Sequence, residues 1–410
     1  MAGVEVLRLL VVLFVILSAA SPGAARTAKA KEVISKGTVV VDGSASIAMT
    51  DKDFICATLD WWPPEKCDYE SCSWGQSSVL NLDLTNPTLV NAVKGNELSG
   101  KGIQARVDVA QYAADFISLK KVVDEIYYGD QIKPLLIAPG GNFETKWYSE
   151  FIDRTKASSS LDVITHHMYI LGQGVDDHLV EKILNPSFLD RNASVFRNLR
   201  DVIEKSDAAA TAWVGEAGGA YNSGRHLVTD SFVSSFWYLD QLGMSASYDT
   251  KSYCRQSLIG GNYGLLNTDT FIPNPDYYSA LLWHRLMGPK VLSADFIGTK
   301  KIRVYSHCAQ HSKGITLLLL NLDQHKRTFV TVKEYNSKQR EEYHLTAKDG
   351  NLHSQTVLLN GKALNLNSYG GIPALKPNRV DGSRPIELAP LSIVFAHLPN
   401  FQAPACLYHG

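Results

Sequence analysis

Glu216 follows a short apolar run, Ala212-Trp-Val214, and Gly215. Small residues, Ala217 to Ala220, and then Tyr221 come after it. The pattern predicts a buried strand that ends in a carboxylate and opens into a Gly-rich loop, which is where a (β/α) barrel presents its chemistry. On these residues alone, a glutamate capping the next helix fits as well. Paired with a second carboxylate, Glu216 would suit glycosidic-bond hydrolysis. One carboxyl protonates the departing oxygen, and the other attacks the anomeric carbon or activates water. The best second candidate is Glu97, in Gly95-Asn-Glu-Leu98, 119 residues earlier in the chain.

Other strand ends supply company for such a site. Val163-Ile-Thr-His-His-Met-Tyr169 ends in His166, His167 and Tyr169, Asn262 and Tyr263 follow a later strand, and Trp61 and Trp62 offer faces for a sugar ring. A structural role, hydrogen-bonded or packed, is the alternative for each. Adjacent histidines on a strand point to opposite faces and chelate a metal poorly, so no metal site is expected. No Gly-x-Ser-x-Gly occurs, and no G-x-G-x-x-G or P-loop follows any strand. No cofactor is implied.

The elements that must position these residues alternate. Helices are predicted over Val107–Tyr128, Trp147–Thr155, Val195–Lys205, Val228–Met244 and Tyr277–Met287. Strands fall between them at Lys133–Pro139, Leu161–Tyr169, Ala212–Gly215 and Tyr253–Leu258, after an earlier one at Asp53–Trp62. Repeated β-α units predict a parallel sheet. After Gly288 the pattern turns to short strands between turns such as Asp349-Gly350 and Asn360-Gly361, which reads as a β-sandwich. The Val-rich stretch Glu32–Met49 reads as one or two strands able to join it.

The 410 residues are 45% apolar and 20% charged with a net charge of -1, an ordinary globular balance that points to no nucleic-acid partner. Arg8, the apolar run Leu9–Ala20 and small residues to Ala25 predict a secretory signal, and hence an exported chain in the extracellular wall or in a vacuole or lysosome. Peripheral association with a membrane is a further expectation. The oligomeric state is not legible. Six cysteines, Cys56, Cys67, Cys72, Cys254, Cys308 and Cys406, suggest disulfides in an exported protein. A Cys67–Cys72 bridge could close a local loop and Cys308–Cys406 could staple the sandwich, while the pairing of the remainder stays open. Asn192-Ala-Ser194 is a glycosylation sequon.

Long runs carry a family resemblance: Gly95-Asn-Glu-Leu, Val163–Tyr169, Trp213-Val-Gly-Glu-Ala-Gly-Gly-Ala-Tyr-Asn-Ser-Gly224, Phe236–Ser245, Cys254-Arg-Gln-Ser-Leu-Ile-Gly-Gly-Asn-Tyr263 and Leu282–Gly288. They resemble the plant heparanase-like proteins of glycoside hydrolase family 79, over nearly the whole chain past the signal. The resemblance implies a (β/α)8 barrel with a β-sandwich and a retaining mechanism, with Glu216 as nucleophile and Glu97 as acid/base. It also implies that His167, Tyr169, Tyr221 and Tyr263, with Asn96 and Gly224, line a cleft for glucuronic acid, and that Cys308 bonds Cys406. The expected division is a signal at 1–25, sandwich-joining strands at 26–50, the barrel at 51–290 and the sandwich at 291–410.

One departure stands out. The helix at Asn86–Lys94 runs straight into Gly95, where the family pattern has two further β-α units and a strand. About two to three units are missing, roughly a hundred residues at a barrel's usual unit length. An incomplete barrel of at most six strands leaves unpaired edges and exposed apolar helix faces. The expected function is hydrolysis of β-linked glucuronic acid in wall or proteoglycan-type glycans or in glucuronides. The alternative is an inactive glycan-binding relative, or a truncated splice or gene-model product.

Overall fold

The computed structural model describes residues 33–60 and 108–407. Five strands form a parallel sheet: β2 (Ile55–Ala57), β3 (Ile137–Asn142), β4 (Val163–Met168), β6 (Thr211–Ala217) and β8 (Ser252–Arg255). The order across the sheet is β2-β8-β6-β4-β3. The first strand therefore lies beside the last, the neighbour relation found where a barrel closes. A closed eight-stranded barrel is not what the described residues form, because β2 and β3 are the two edges of an open sheet.

Helices return the chain between these strands. They are α1 (Val109–Ile126), α2 (Thr145–Thr155), α3 (Ala193–Ser206) and α4 (Phe232–Ser247), and α5 (Pro275–Leu286) leads from the last strand into the other sheet. Asp108 caps α1 by accepting from the amides of Ala110 and Gln111, each at 3.0 Å. Glu144 caps α2 through Trp147 N at 2.8 Å. Helix α4 begins at Phe232, later than its apolar spacing suggests, because Ser231 turns back to the carbonyls of Leu227 and Val228. Helix α1 buries Ala113 and Phe116 and leaves Leu119, Val122 and Ile126 exposed; Tyr128, Ile132, Leu135 and Ile137 beyond it are exposed too. Among the described residues, the outer face of α1 and the β3 edge thus expose apolar side chains.

The rest is one continuous sheet of eleven strands. Its hydrogen-bonded path includes β1 (Val33–Met49), β9 (Met287–Ile297), β10 (Ile302–Ala309), β11 (Ile315–Asn321), β12 (Lys326–Val332), β13 (Arg340–Ala347), β17 (Ile386–Leu388) and β18 (Ser392–Leu398). The N-terminal strand β1 does join it, parallel to β12 and antiparallel to β9. The sheet curls over a core of its own, in which Leu317 and Leu319 share a cluster with Val330, Ile386 and Leu388. The alternate residues Leu318 and Leu320 face the other way, into a cluster shared with Phe54, Val214, Trp237 and Tyr253. Strict alternation along β11 explains how a run of four leucines serves two cores. Among the described residues no helix is long and apolar enough to cross a membrane.

Two disulfides fix long-range neighbours. Cys308 bonds Cys406, tying β10 to the end of the chain. Cys56 bonds Cys254, its register partner on the adjacent parallel strand, across a sequence separation of 198 residues. Cys67 and Cys72, the signal and the helix at Asn86–Lys94 lie outside the described residues.

Candidate active site

Glu216 is the penultimate residue of β6 and is 3% exposed. The register between β4 and β6 slips at this point: His166 pairs with Val214, and His167 with Glu216. Gly215 is the extra residue of this bulge, and a Cβ there would come within 3.1 Å of Thr165 Cβ. The bulge re-aims the end of the strand and puts Glu216 level with His167. His167 Nδ1 is 3.9 Å from Glu216 Oε2. The Tyr169 hydroxyl donates to the other oxygen, Oε1. Burial, reinforced by the Glu216 carboxylate, raises the Tyr169 phenol well above its ordinary value, so it remains a proton donor toward Glu216.

The histidine pair divides as strand alternation requires. His167 faces the carboxylate. His166 is fully buried in the other layer, with Phe143 and Phe196 rings 6.3 and 5.9 Å away. Burial lowers the His166 pKa to about 3 and keeps the ring neutral.

Tyr263 comes from the loop after β8 and is buried. Gly218 lets both tyrosines sit against the backbone after Glu216: a Cβ there would lie 2.8 Å from Tyr169 Cε1 and 3.1 Å from Tyr263 Cδ1. Gly224, at φ +70°, passes equally close, with a Cβ position 3.0 Å from Tyr263 Cδ1. Its loop bridges to Asn262. Tyr221 is 39% exposed in the two-residue strand β7 (Ala220–Tyr221), which pairs in parallel with β5 (Gly172–Gln173) at the rim.

Three participants escape a reading of the sequence. Gln256 Nε2 donates to Asp60 Oδ2 at 2.8 Å and lies 3.4 Å from the Tyr263 hydroxyl. Its carbonyl oxygen accepts a hydrogen bond from the Thr58 hydroxyl. Thr58 and Asp60 sit just past β2 and are buried. An aspartate at the end of the first apolar strand was the available signal, but only the pairing of β2 with β8 brings it to Gln256. Asn96, Glu97, Trp61 and Trp62 lie outside the described residues.

The sequon asparagine, Asn192, lies at the foot of α3. Asn192 is 6% exposed and its amide donates to Leu189 O at 3.0 Å, just before α3. A sequon specifies three residues but not their exposure, and this amide faces the protein.

A buried carboxylate at the C-terminal end of a parallel strand, ringed by tyrosine and histidine, marks the class as a glycoside hydrolase. Sequence comparison gives the family. The model of the glycosyl hydrolase family 79 N-terminal domain matches residues 36–95 and 94–243. Heparanase-like protein 3 of Arabidopsis thaliana is 44% identical over 511 positions, covering 91% of this chain and 95% of the relative. Baicalin-beta-D-glucuronidase of Scutellaria baicalensis is 38% identical, covering 90% of this chain and 93% of the relative. Among solved structures, a 4-O-alpha-L-rhamnosyl-beta-D-glucuronidase from Fusarium oxysporum shares the fold at a TM-score of 0.60 and 12% identity, covering 88% of this chain and all of that one. The chain belongs to glycosyl hydrolase family 79 and is a glycosidase by that membership. The two matched segments meet at Lys94–Gly95. The 511 aligned positions take in 91% of the 410 residues, about 373, which leaves about 138 positions without a counterpart here.

Proposed function

We propose that the chain hydrolyses β-linked glucuronides with retention of configuration. Glu216 attacks the anomeric carbon, and Glu97 protonates the departing oxygen and then deprotonates the water that releases the sugar. The observation that carries this reading is the setting of Glu216: buried, with Oε1 held by the Tyr169 hydroxyl and Oε2 left for attack beside His167. A nucleophile held by one oxygen keeps its other lone pairs on the reacting carbon. Tyr263, Tyr221, Gly224 and Asn96 would line the glucuronate cleft. The substrate class is a glucuronic-acid-containing wall or proteoglycan-type glycan, or a small glucuronide; the name of the baicalin-beta-D-glucuronidase relative supports the glucuronide part of that range. An incomplete (β/α)8-type barrel at 51–290 and a sandwich at 291–410 is the domain reading that goes with it, in a chain exported to the wall or a vacuole.

The experiment is hydrolysis of a chromogenic β-glucuronide at mildly acidic pH by the wild type, Glu216→Gln and Glu97→Gln. Turnover lost in both variants supports the reading. A second reading, an inactive glycan-binding relative, is favoured by one observation: the family match breaks immediately before Asn96-Glu97. Retention needs the carboxyls about 5–5.5 Å apart, and the break falls where the family pattern places the strand that sets that distance. Glucuronate binding by a folded wild-type chain that shows no turnover would establish this second reading.

A further inference from the structure

Arg255 closes β8 and is completely buried. Its guanidinium lies over the rings of Trp237 and Tyr238, at 4.8 and 5.1 Å from their centroids. Nη2 is 2.9 Å from Asp276 Oδ2 on α5. Asp276 in turn accepts from the hydroxyls of Ser234 and Ser235 on α4, at 2.8 and 2.7 Å. A buried ion pair of this kind is weak evidence for stability, because desolvation offsets much of its attraction. What else the guanidinium holds is therefore the informative part.

Nε and Nη2 donate to the carbonyl of Tyr263 at 3.2 and 3.0 Å, and Nη2 also reaches Thr229 O at 3.3 Å. These two carbonyls belong to the two loops that flank Glu216. One carries Tyr263, and the other runs from Tyr221 through Gly224 to Thr229. The loops are also tied to each other, since Asn262 N donates to Ser223 O at 2.7 Å and the Thr229 hydroxyl donates to Asn262 O. The planar guanidinium presents Nε and Nη2 in fixed geometry to two carbonyls and a carboxylate while its face lies on two rings; the shorter, freely rotating ammonium of lysine does not reproduce that arrangement.

We propose that Arg255 is a positioning residue. It clamps Tyr263 and the Gly224–Thr229 loop into one arrangement and so sets the affinity of the cleft for its sugar without touching it. The sugar-binding half of this proposal rests on the glucuronidase reading above; the clamping half does not.

Hydrogen exchange of the 221–230 and 257–265 amides and titration with glucuronic acid would be measured on the wild type, Arg255→Lys and Tyr305→Phe. The last variant removes a 2.6 Å hydrogen bond to Asp240 that involves neither loop, and controls for general loss of stability. Arg255→Lys is expected to speed exchange in both loops together and to weaken glucuronic acid about tenfold, since small misplacements of binding groups are costly. Tyr305→Phe is expected to do neither. Unchanged exchange in Arg255→Lys, or equal loosening in Tyr305→Phe, overturns the proposal. Loosened loops with unchanged sugar affinity overturn the positioning role. A wild type that binds no glucuronic acid overturns the glucuronidase reading, while the exchange data still decide the clamp. Should Arg255→Lys not fold, the double variant Arg255→Gln/Asp276→Asn carries the same test, because it leaves no charge buried alone.

Discussion

The two sheets of this molecule spend their buried positions differently. In the eleven-stranded sheet, β11 and β18 are buried along both faces and filled mainly with leucine, isoleucine, valine and phenylalanine. In the parallel sheet the strand ends bury Glu216, Arg255, Gln256, Thr58, Asp60 and His166, while the β3 edge and α1 leave Ile132, Leu135 and Leu119 to water. The first arrangement maximises apolar burial. The second gives up apolar burial to hold polar groups desolvated and oriented, which strengthens their electrostatics and is where perturbed ionisation is expected. The comparison teaches that the large sheet anchors the fold, while the parallel sheet concentrates the chemistry and carries the uncovered surface.

The largest effect should come from the parallel sheet's one central carboxylate. If the chain turns over a β-glucuronide, Glu216→Gln is expected to lower kcat on the order of 10^4-fold or more without unfolding the protein. A chromogenic assay beside a thermal melt checks both halves, and an active Glu216→Gln would break the contrast at its centre. Next comes packing. Leu319→Ala, at a fully buried position, should cost about 2–5 kcal/mol by urea unfolding, whereas Leu119→Ala on the exposed face of α1 should stay within about 0.5 kcal/mol. Equal losses would mean that the α1 face is covered in solution.

The disulfides rank third. Replacing Cys308 and Cys406 with serine opens a loop with a sequence separation of 98 residues and should cost about 2–4 kcal/mol. The same change at Cys56 and Cys254 should cost a similar amount and also lower glycosidase activity, because that bridge lies beside the strand carrying Arg255 and Gln256. An unaffected activity would separate the β2–β8 seam from the site.

The smallest effect is shared by both sheets. His166 in one and His307 in the other are buried, and burial lowers their pKa values to about 3 and about 4 from 6.5. The unfolded chain therefore binds protons below pH 6.5 that the folded chain refuses. The stability is fully present above that pH and is lost as pH falls toward the folded values. Lowering the pH from 7 to 5 should cost about 2 kcal/mol per histidine. Replacing either histidine with glutamine should flatten the slope of urea midpoint against pH.

The sequence by itself determined the local periods: the alternation of helices with strands up to Gly288, the strands beyond it, and Glu216 at the end of an apolar strand before small residues. These rest on interactions a few residues apart, which composition and spacing record. Its motifs also carried the family, the Cys308–Cys406 pairing and the missing segment at Lys94–Gly95. Only the tertiary structure decided that the first parallel strand lies against the last. That single neighbour relation bonds Cys56 to Cys254 and brings Asp60 and Thr58 to Gln256, across nearly two hundred residues of chain. It was likewise the fold that turned the Asn192 amide inward, sent His166 and His167 to opposite layers and set Arg255 beneath two loops. Such partners are chosen by topology and burial, which no local pattern of residues encodes.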